Sequence, residues 1–198
     1  VFVTFFVAGF TAEASDYFNN NSSGKGFDIE SLGYWNMGLA NSSLLSVASG
    51  GNHSAIASWL GRVNYAYKGK YLASVSFRAD GSSKFGVNNR WGYFPSFSLG
   101  WRLTGEEFMK PLDWLSDLKL RVGWGQVGND QVGYYSSYGI YGIGANYNMD
   151  GVILPGYYQS QIGNDKLRWE RTTQTNVGLD FSFLNGRMTL TADAYYKK

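Results

Sequence analysis

Arg78-Ala79-Asp80-Gly81-Ser82-Ser83-Lys84-Phe85-Gly86-Val87-Asn88-Asn89-Arg90-Trp91-Gly92-Tyr93-Phe94-Pro95-Ser96 joins two stretches of regular alternation. Before it, Tyr71, Ala73, Val75, Phe77 and Ala79 oppose Leu72, Ser74, Ser76, Arg78 and Asp80. After it, Tyr93, Pro95, Phe97, Leu99, Trp101 and Leu103 oppose Phe94, Ser96, Ser98, Gly100 and Arg102. A period of two is the signature of a β-strand with two unlike faces. One face here holds only residues at home in hydrocarbon, and the other is polar and charged. That pairing predicts an all-β, antiparallel transmembrane barrel segment.

Working outward, the alternation recurs. Trp59, Gly61, Val63, Tyr65 and Tyr67 oppose Leu60, Arg62, Asn64, Ala66 and Lys68. Leu118, Leu120, Val122 and Trp124 oppose Lys119, Arg121, Gly123 and Gly125. Thr173 to Phe183 and Arg187 to Lys197 repeat the pattern, whereas Val1 to Phe10 is apolar on both sides and its facing is left open. These make about seven strands of roughly ten residues, the length a tilted membrane strand needs. None of the six assigned apolar faces carries a charge. A barrel demands this, because Arg or Lys on the lipid face at mid-bilayer costs ~2–4 kcal/mol.

The connections alternate in length. Long gaps run from Phe10 to Trp59 and from Gly128 to Arg171, with a medium loop from Gly81 to Gly92. Between them lie the tight turns Lys68-Gly69-Lys70 and Leu184-Asn185-Gly186 and the connector from Thr104 to Asp117. Long extracellular loops at one rim and short periplasmic turns at the other are the barrel arrangement. It puts Tyr67, Tyr71, Trp101 and Phe183 near the periplasmic interface and Trp59, Tyr93 and Trp124 near the outer one. Thr104 with Glu107 three residues on reads as a capping box opening a short helix, closed near Pro111. Glu106 and Glu107 then favour its dipole.

Composition fits. Charged residues are 16% of the 198, aromatics 18%, and 26 are glycine. Mean hydropathy is −0.26, since alternating faces cancel in any average. A net charge of +2 gives no footprint for nucleic acid. The absence of cysteine removes disulfides and thiolate metal sites. No basic leader precedes Val1-Phe2-Val3, and Tyr195-Tyr196-Lys197-Lys198 reads as mid-strand, so the chain is expected to be an internal or C-terminal portion of a larger protein.

Candidate chemistry is sparse. Gly123-x-Gly125-x-x-Gly128 matches a dinucleotide fingerprint, but no helix follows to hold a pyrophosphate. His53, the only histidine, has a loop context and no partners for a triad or a metal. Four Asn-x-Ser matches, at Asn20, Asn21, Asn41 and Asn52, are the chance product of polar loops. No catalytic residue, metal site or cofactor is expected. Aromatics crowd the long loop: Tyr134, Tyr135, Tyr138, Tyr141, Tyr147, Tyr157, Tyr158 and Trp169. Tyr134, Tyr135, Tyr138, Tyr141 and Trp169 are the ligand-binding candidates, as rings that could stack on sugars above a pore. The alternative is that these rings pack the loop against its neighbours or a lid. Arg62, Arg78, Arg102, Lys119, Arg121, Asp180 and Asp193 fall on the inward face, where charges must pair or meet water. They are expected to form a polar network against an interior body.

Several phrases resemble one family in order and spacing. They are Gly61-Arg62-Val63-Asn64-Tyr65-Ala66-Tyr67-Lys68-Gly69-Lys70-Tyr71, the stretch from Arg78 to Ser96, Leu99-Gly100-Trp101-Arg102, Glu107-Phe108-Met109 and Leu118-Lys119-Leu120-Arg121. Further on come Gly123-Trp124-Gly125-Gln126-Val127-Gly128-Asn129, Leu167-Arg168-Trp169-Glu170 and Thr175-Asn176-Val177-Gly178-Leu179-Asp180. Together they resemble the SusC/RagA-like TonB-dependent transporters of Bacteroidetes outer membranes. The resemblance covers roughly residues 55–198 well and residues 11–54 only in general character. It implies a barrel of about 22 strands with a plugged lumen, energised through TonB and lidded by a SusD-like surface lipoprotein. Residues 1–198 are then one partial barrel domain, with the plug, the TonB-contacting part and the remaining strands absent, set in bacterial outer-membrane lipid. The implied activity is nutrient import and not enzymatic; the cargo is an oligosaccharide, with an oligopeptide as the alternative. Two other readings of the residues remain: a soluble β-sandwich carbohydrate-binding module, and a barrel that does not transport.

Overall fold

The structure, a computed structural model, describes residues 1–29, 31 and 33–198. Among the described residues the strands are, in chain order, β1 (Phe2–Ser23), β2 (Ser46–Tyr67), β3 (Tyr71–Ser82), β4 (Trp91–Arg102), β5 (Leu115–Asn129), β6 (Ile140–Ile143), β7 (Tyr147–Met149), β8 (Val152–Leu154), β9 (Tyr157–Gln161), β10 (Glu170–Phe183) and β11 (Met188–Lys197). Seven of them form one sheet in the order β1-β2-β3-β4-β5-β10-β11. Every pair whose register is resolved is antiparallel. The expected all-β, antiparallel, seven-stranded barrel segment is thus what forms. Backbone contacts divide the chain into two units, Val1–Glu13 with Ile56–Lys198, and Ala14–Ala55.

In the larger unit the register sorts side chains into rows. Tyr67, Tyr71, Trp101, Leu120, Leu179 and Ala192 face one another across six strands. So do Tyr65, Ala73, Leu99, Val122, Val177 and Ala194. The other side of the sheet carries Asn64, Ser74, Ser98, Gly123, Asn176 and Tyr195 in one row, and Ala66, Leu72, Gly100, Arg121, Gly178 and Asp193 in the next. The apolar face is left open: Val75 is 58% exposed and Leu99 55%. A soluble sandwich would bury such rows under a second sheet, and their exposure overturns that alternative. Trp59 and Tyr93 share a row through Ala79, as two members of one aromatic belt should, but Trp124 lies across from Phe97, in a different row.

Two strands are longer than their alternation. β1 continues past Phe10 to Ser23, and β2 begins at Ser46 instead of Trp59, so His53 is a strand residue and not a loop one. The pairing of β1 with β2 depends on backbone hydrogen bonds, and these persist where side chains cease to alternate. The smaller unit adds three short 3-10 turns, at Gly33–Trp35, Met37–Leu39 and Ser42–Leu44. The side chains of Asn36 and Asn41 accept from Gly38 N–H and Ser43 N–H at 3.2 and 3.0 Å.

The tight turns form as expected. Lys68 and Gly69 both have positive φ (51° and 66°), and Lys70 N–H donates to the Tyr67 carbonyl at 3.0 Å, a type I′ turn within a three-residue loop between Tyr67 and Tyr71. The helix expected after Thr104 does not form. Two single 3-10 turns, Leu103–Gly105 and Glu107–Met109, take its place. Thr104 has no free hydroxyl to cap with: it donates to Asp117 at 2.9 Å and accepts from Leu118 N–H at 3.4 Å. Glu107 pairs with Lys110 at 2.6 Å instead of closing a capping box.

Candidate functional site

The joining stretch builds a small core on the polar side of the sheet. Phe94 points to that side from β4 and is buried, together with Phe85 from the β3–β4 loop and Trp169 just before β10. Both phenyl rings sit 5.4 Å from the Trp169 ring, within the 4.5–7 Å that aromatic pairs favour. Ile56, Val132 and Leu167 pack around the three. Gly128, across the sheet on β5, makes room for them: a Cβ there would collide with the Phe94 ring.

Polar contacts fasten the same segments. Trp169 Nε1 donates to the Arg90 carbonyl at 2.8 Å. Ser82 Oγ donates to the Asp130 carboxylate at 2.9 Å. Lys84 Nζ donates to the Asp130 carbonyl at 3.3 Å, lies 3.9 Å from that carboxylate and stands 5.5 Å from the centre of the Tyr134 ring. Asn89 Nδ2 donates to the Asp165 carbonyl at 2.9 Å. The β3–β4 loop is therefore bound at both roots of the long connection between β5 and β10. Trp169 is among the expected ligand contacts. It is 7% exposed, and its N–H is already taken, which favours the packing alternative for this ring.

The other four ligand candidates lie on the long connection and are exposed: Tyr134, Tyr135, Tyr138 and Tyr141. Gln161 holds the first turn of this segment, its side-chain amide donating to the carbonyls of Tyr135 and Tyr138 at 3.0 Å each. Tyr141 sits on β6, which pairs with β9. β7 and β8 form a hairpin beyond it, turned by Asp150 and Gly151, both at positive φ. From Gln131 to Gly163 the only charged residue is Asp150. Ile143, Ile153, Tyr157 and Ile162 are each more than two-thirds exposed. Sequence reasoning missed these four short strands, although Asp-Gly between Met149 and Val152 is a hairpin signal.

The charged residues of the polar face divide. Arg121 donates to both oxygens of Asp180, at 2.8 and 2.9 Å, and to Asp193 at 3.0 Å, while Thr191 adds a bond to Asp180 at 3.3 Å. A Cβ at Gly178 would strike Arg121 and Asp193, so the glycine leaves room for this bridge across three strands. Arg102 pairs with Asp117 at 3.2 Å and Arg78 with Asp80 at 3.1 Å. Arg62 and Lys119 make no ion pair among the described residues, though Lys119 stands directly across from Arg102 and Asp180.

At the end of the sheet with the short turns, Glu106 collects three donors. Tyr71 Oη and Trp101 Nε1 reach one oxygen at 2.7 and 3.2 Å, and Lys70 Nζ reaches the other at 3.1 Å. The Tyr71 hydroxyl first, then Trp101 and Lys70, hold the Glu106 carboxyl below its ordinary range. In the smaller unit His53 Nδ1 meets Asp16 at 2.6 Å. Among the described residues no three His, Cys, Asp or Glu side chains converge to hold a metal. Gly123 and Gly125 lie within β5, and no helix follows Gly128 to take a pyrophosphate.

The family model described as "TonB dependent receptor-like, beta-barrel" matches residues 3–198. The TonB-dependent receptor SusC of Bacteroides thetaiotaomicron is 42% identical over 152 residues, which cover 73% of this chain and 15% of that protein. The TonB-dependent receptor P39 of Formosa agariphila is 41% identical over 143 residues, covering 72% and 13%. Among solved structures, that of the RagAB peptide transporter superposes with a TM-score of 0.80 at 29% identity, covering 98% of this chain and 21% of the matched chain. The chain thus spans 15% or less of these curated relatives.

Proposed function

The chain belongs to the TonB dependent receptor-like β-barrel family, and from that premise we propose that it forms part of the wall and outer mouth of a bacterial outer-membrane importer of the SusC/RagA type. The observation that carries the proposal is the open face of the sheet, whose rows through Leu99 and Trp101 hold no charge across six strands, backed by a face that holds Arg121, Asp180 and Asp193 in ion pairs. Hydrocarbon against the first face and an aqueous or protein-filled interior against the second satisfies both. The edges of the sheet, β1 and β11, require further strands, because unpaired backbone cannot sit in lipid. The rest of the protein supplies those strands and a plug. TonB provides the energy that moves the plug, and the protein works as a transporter without catalysing a reaction on its cargo. Arg62, Arg78, Arg102 and Lys119 join the three paired residues as a polar lining against the plug.

The cargo is a neutral oligosaccharide. Tyr134, Tyr135, Tyr138 and Tyr141 offer exposed ring faces on a segment with a single charge. Sugar rings can stack on such faces and take hydrogen bonds from the neighbouring amides, whereas charged peptide termini would find few partners there. A SusD-like lipoprotein covers the exposed apolar side chains of β6 to β9, since patches of this kind mark protein contacts. An oligopeptide cargo is the second reading, favoured by the structural likeness to the RagAB peptide transporter.

The test uses the full-length protein with its neighbouring lipoprotein in an outer-membrane host. Uptake of a fluorescent neutral oligosaccharide pool is compared with that of a fluorescent oligopeptide pool, with and without TonB. TonB-dependent entry of the sugars alone is expected. Entry of peptides alone would replace the cargo, and TonB-independent entry of either pool would refute the importer.

A further inference from the structure

Lys84 is an ammonium held out of water, its side chain only 19% exposed. Such a group has three hydrogens to place. Nζ donates to the Asp130 carbonyl at 3.3 Å, lies 3.9 Å from the Asp130 carboxylate and stands 5.5 Å from the centre of the Tyr134 ring. The lysine cannot drift. Its own backbone N–H is tied to Ser82 Oγ at 3.4 Å, and that hydroxyl in turn donates to Asp130. The next residue, Phe85, is locked in the core with Phe94 and Trp169. Tyr134 is exposed on the long connection, and the Lys84 ammonium lies over its ring.

We infer that Lys84 is a positioning residue for ligand capture: anchored by Asp130, it fixes the attitude of the Tyr134 ring at the mouth, and so helps to set the affinity for cargo. This rests on the importer reading above. The cation lies over one ring face, and the ligand takes the opposite one. The effect falls on binding and not on the energised step, because neither Lys84 nor Tyr134 touches the wall network around Arg121.

The test uses the full-length transporter with its lipoprotein, in an otherwise cysteine-free background. Lys84→Met, Lys84→Arg and Asp130→Asn are compared for saturation of uptake of the oligosaccharide and oligopeptide pools. Spin labels at Val87→Cys and Ile140→Cys report the spread of distances between the two loops. Lys84→Met should raise the half-saturating concentration about two- to fivefold, the scale of a cation–π contact, and leave the maximum rate unchanged. It should also broaden the distance distribution. Lys84→Arg should keep both readouts at wild-type values, and Asp130→Asn, which keeps the backbone carbonyl and loses only the charge 3.9 Å away, should fall between wild type and Lys84→Met. Wild-type saturation and distances in Lys84→Met, or equal impairment in Lys84→Arg, would overturn the inference. Should the wild type import neither pool, the importer reading fails, and the spin-label distances in the three variants still decide whether Lys84 positions the loop.

Discussion

Trp169 is spent on structure. Both neighbouring phenyl rings and the Arg90 carbonyl engage it. Trp169→Ala should cost about 3–5 kcal/mol, the usual range for emptying a buried aromatic site, read from urea unfolding of the full-length protein refolded into vesicles. Gly128→Ala should destabilise by about 1–3 kcal/mol, because the new methyl overpacks against Phe94. Glu106 gives a pH signature. Its carboxyl is held below the ordinary value near 4.5, so the folded state favours the charged form. The stabilisation is complete above that value and fades as pH falls through the lower, folded one. Thermal midpoints measured downward from neutrality should drop more steeply for the wild type than for Glu106→Gln, which has no charge to lose. The Phe94 core was half-visible in the residues: a phenylalanine on an otherwise polar face is an anomaly that asks for a partner. Nothing in the sequence pairs it with Trp169, which lies 75 positions away on another connection.

A strand is a repeating object, and repetition is what sequence displays best. The six alternating segments appear because each places its side chains on two unlike faces, and their registers follow. The ends of β1 and β2 do not appear, because β1 runs on through Asn19, Asn20 and Asn21 without any contrast of faces. The short strands β6 to β9 span three to five residues each, too few for a period to establish itself. The capping box at Thr104 misleads for the opposite reason: the motif is present, but Asp117 captures its hydroxyl. The facing of the elements can be tested directly. Leu99→Arg should impair membrane assembly by about 2–4 kcal/mol, measured as the folded fraction on unheated gels. Ser98→Arg, on the polar side, should be milder, and equal tolerance at both positions would reverse the assignment.

On the scale of the whole molecule, the sheet exposes one apolar face and ends in two edge strands, β1 and β11. The full-length protein should therefore leave the outer-membrane fraction only with detergent; release by salt or alkaline washing would contradict the wall assignment. A consequence also follows from the stretch between Gln131 and Gly163 with its single carboxylate. Ions in the surrounding medium weaken attraction between charges, but they have little to act on in a mouth made of tyrosine rings, isoleucines and amides, whose supporting cation, Lys84, is only 19% exposed. Capture there should stay nearly constant from fresh water to brine, and a titration with sodium chloride would show it as a flat line.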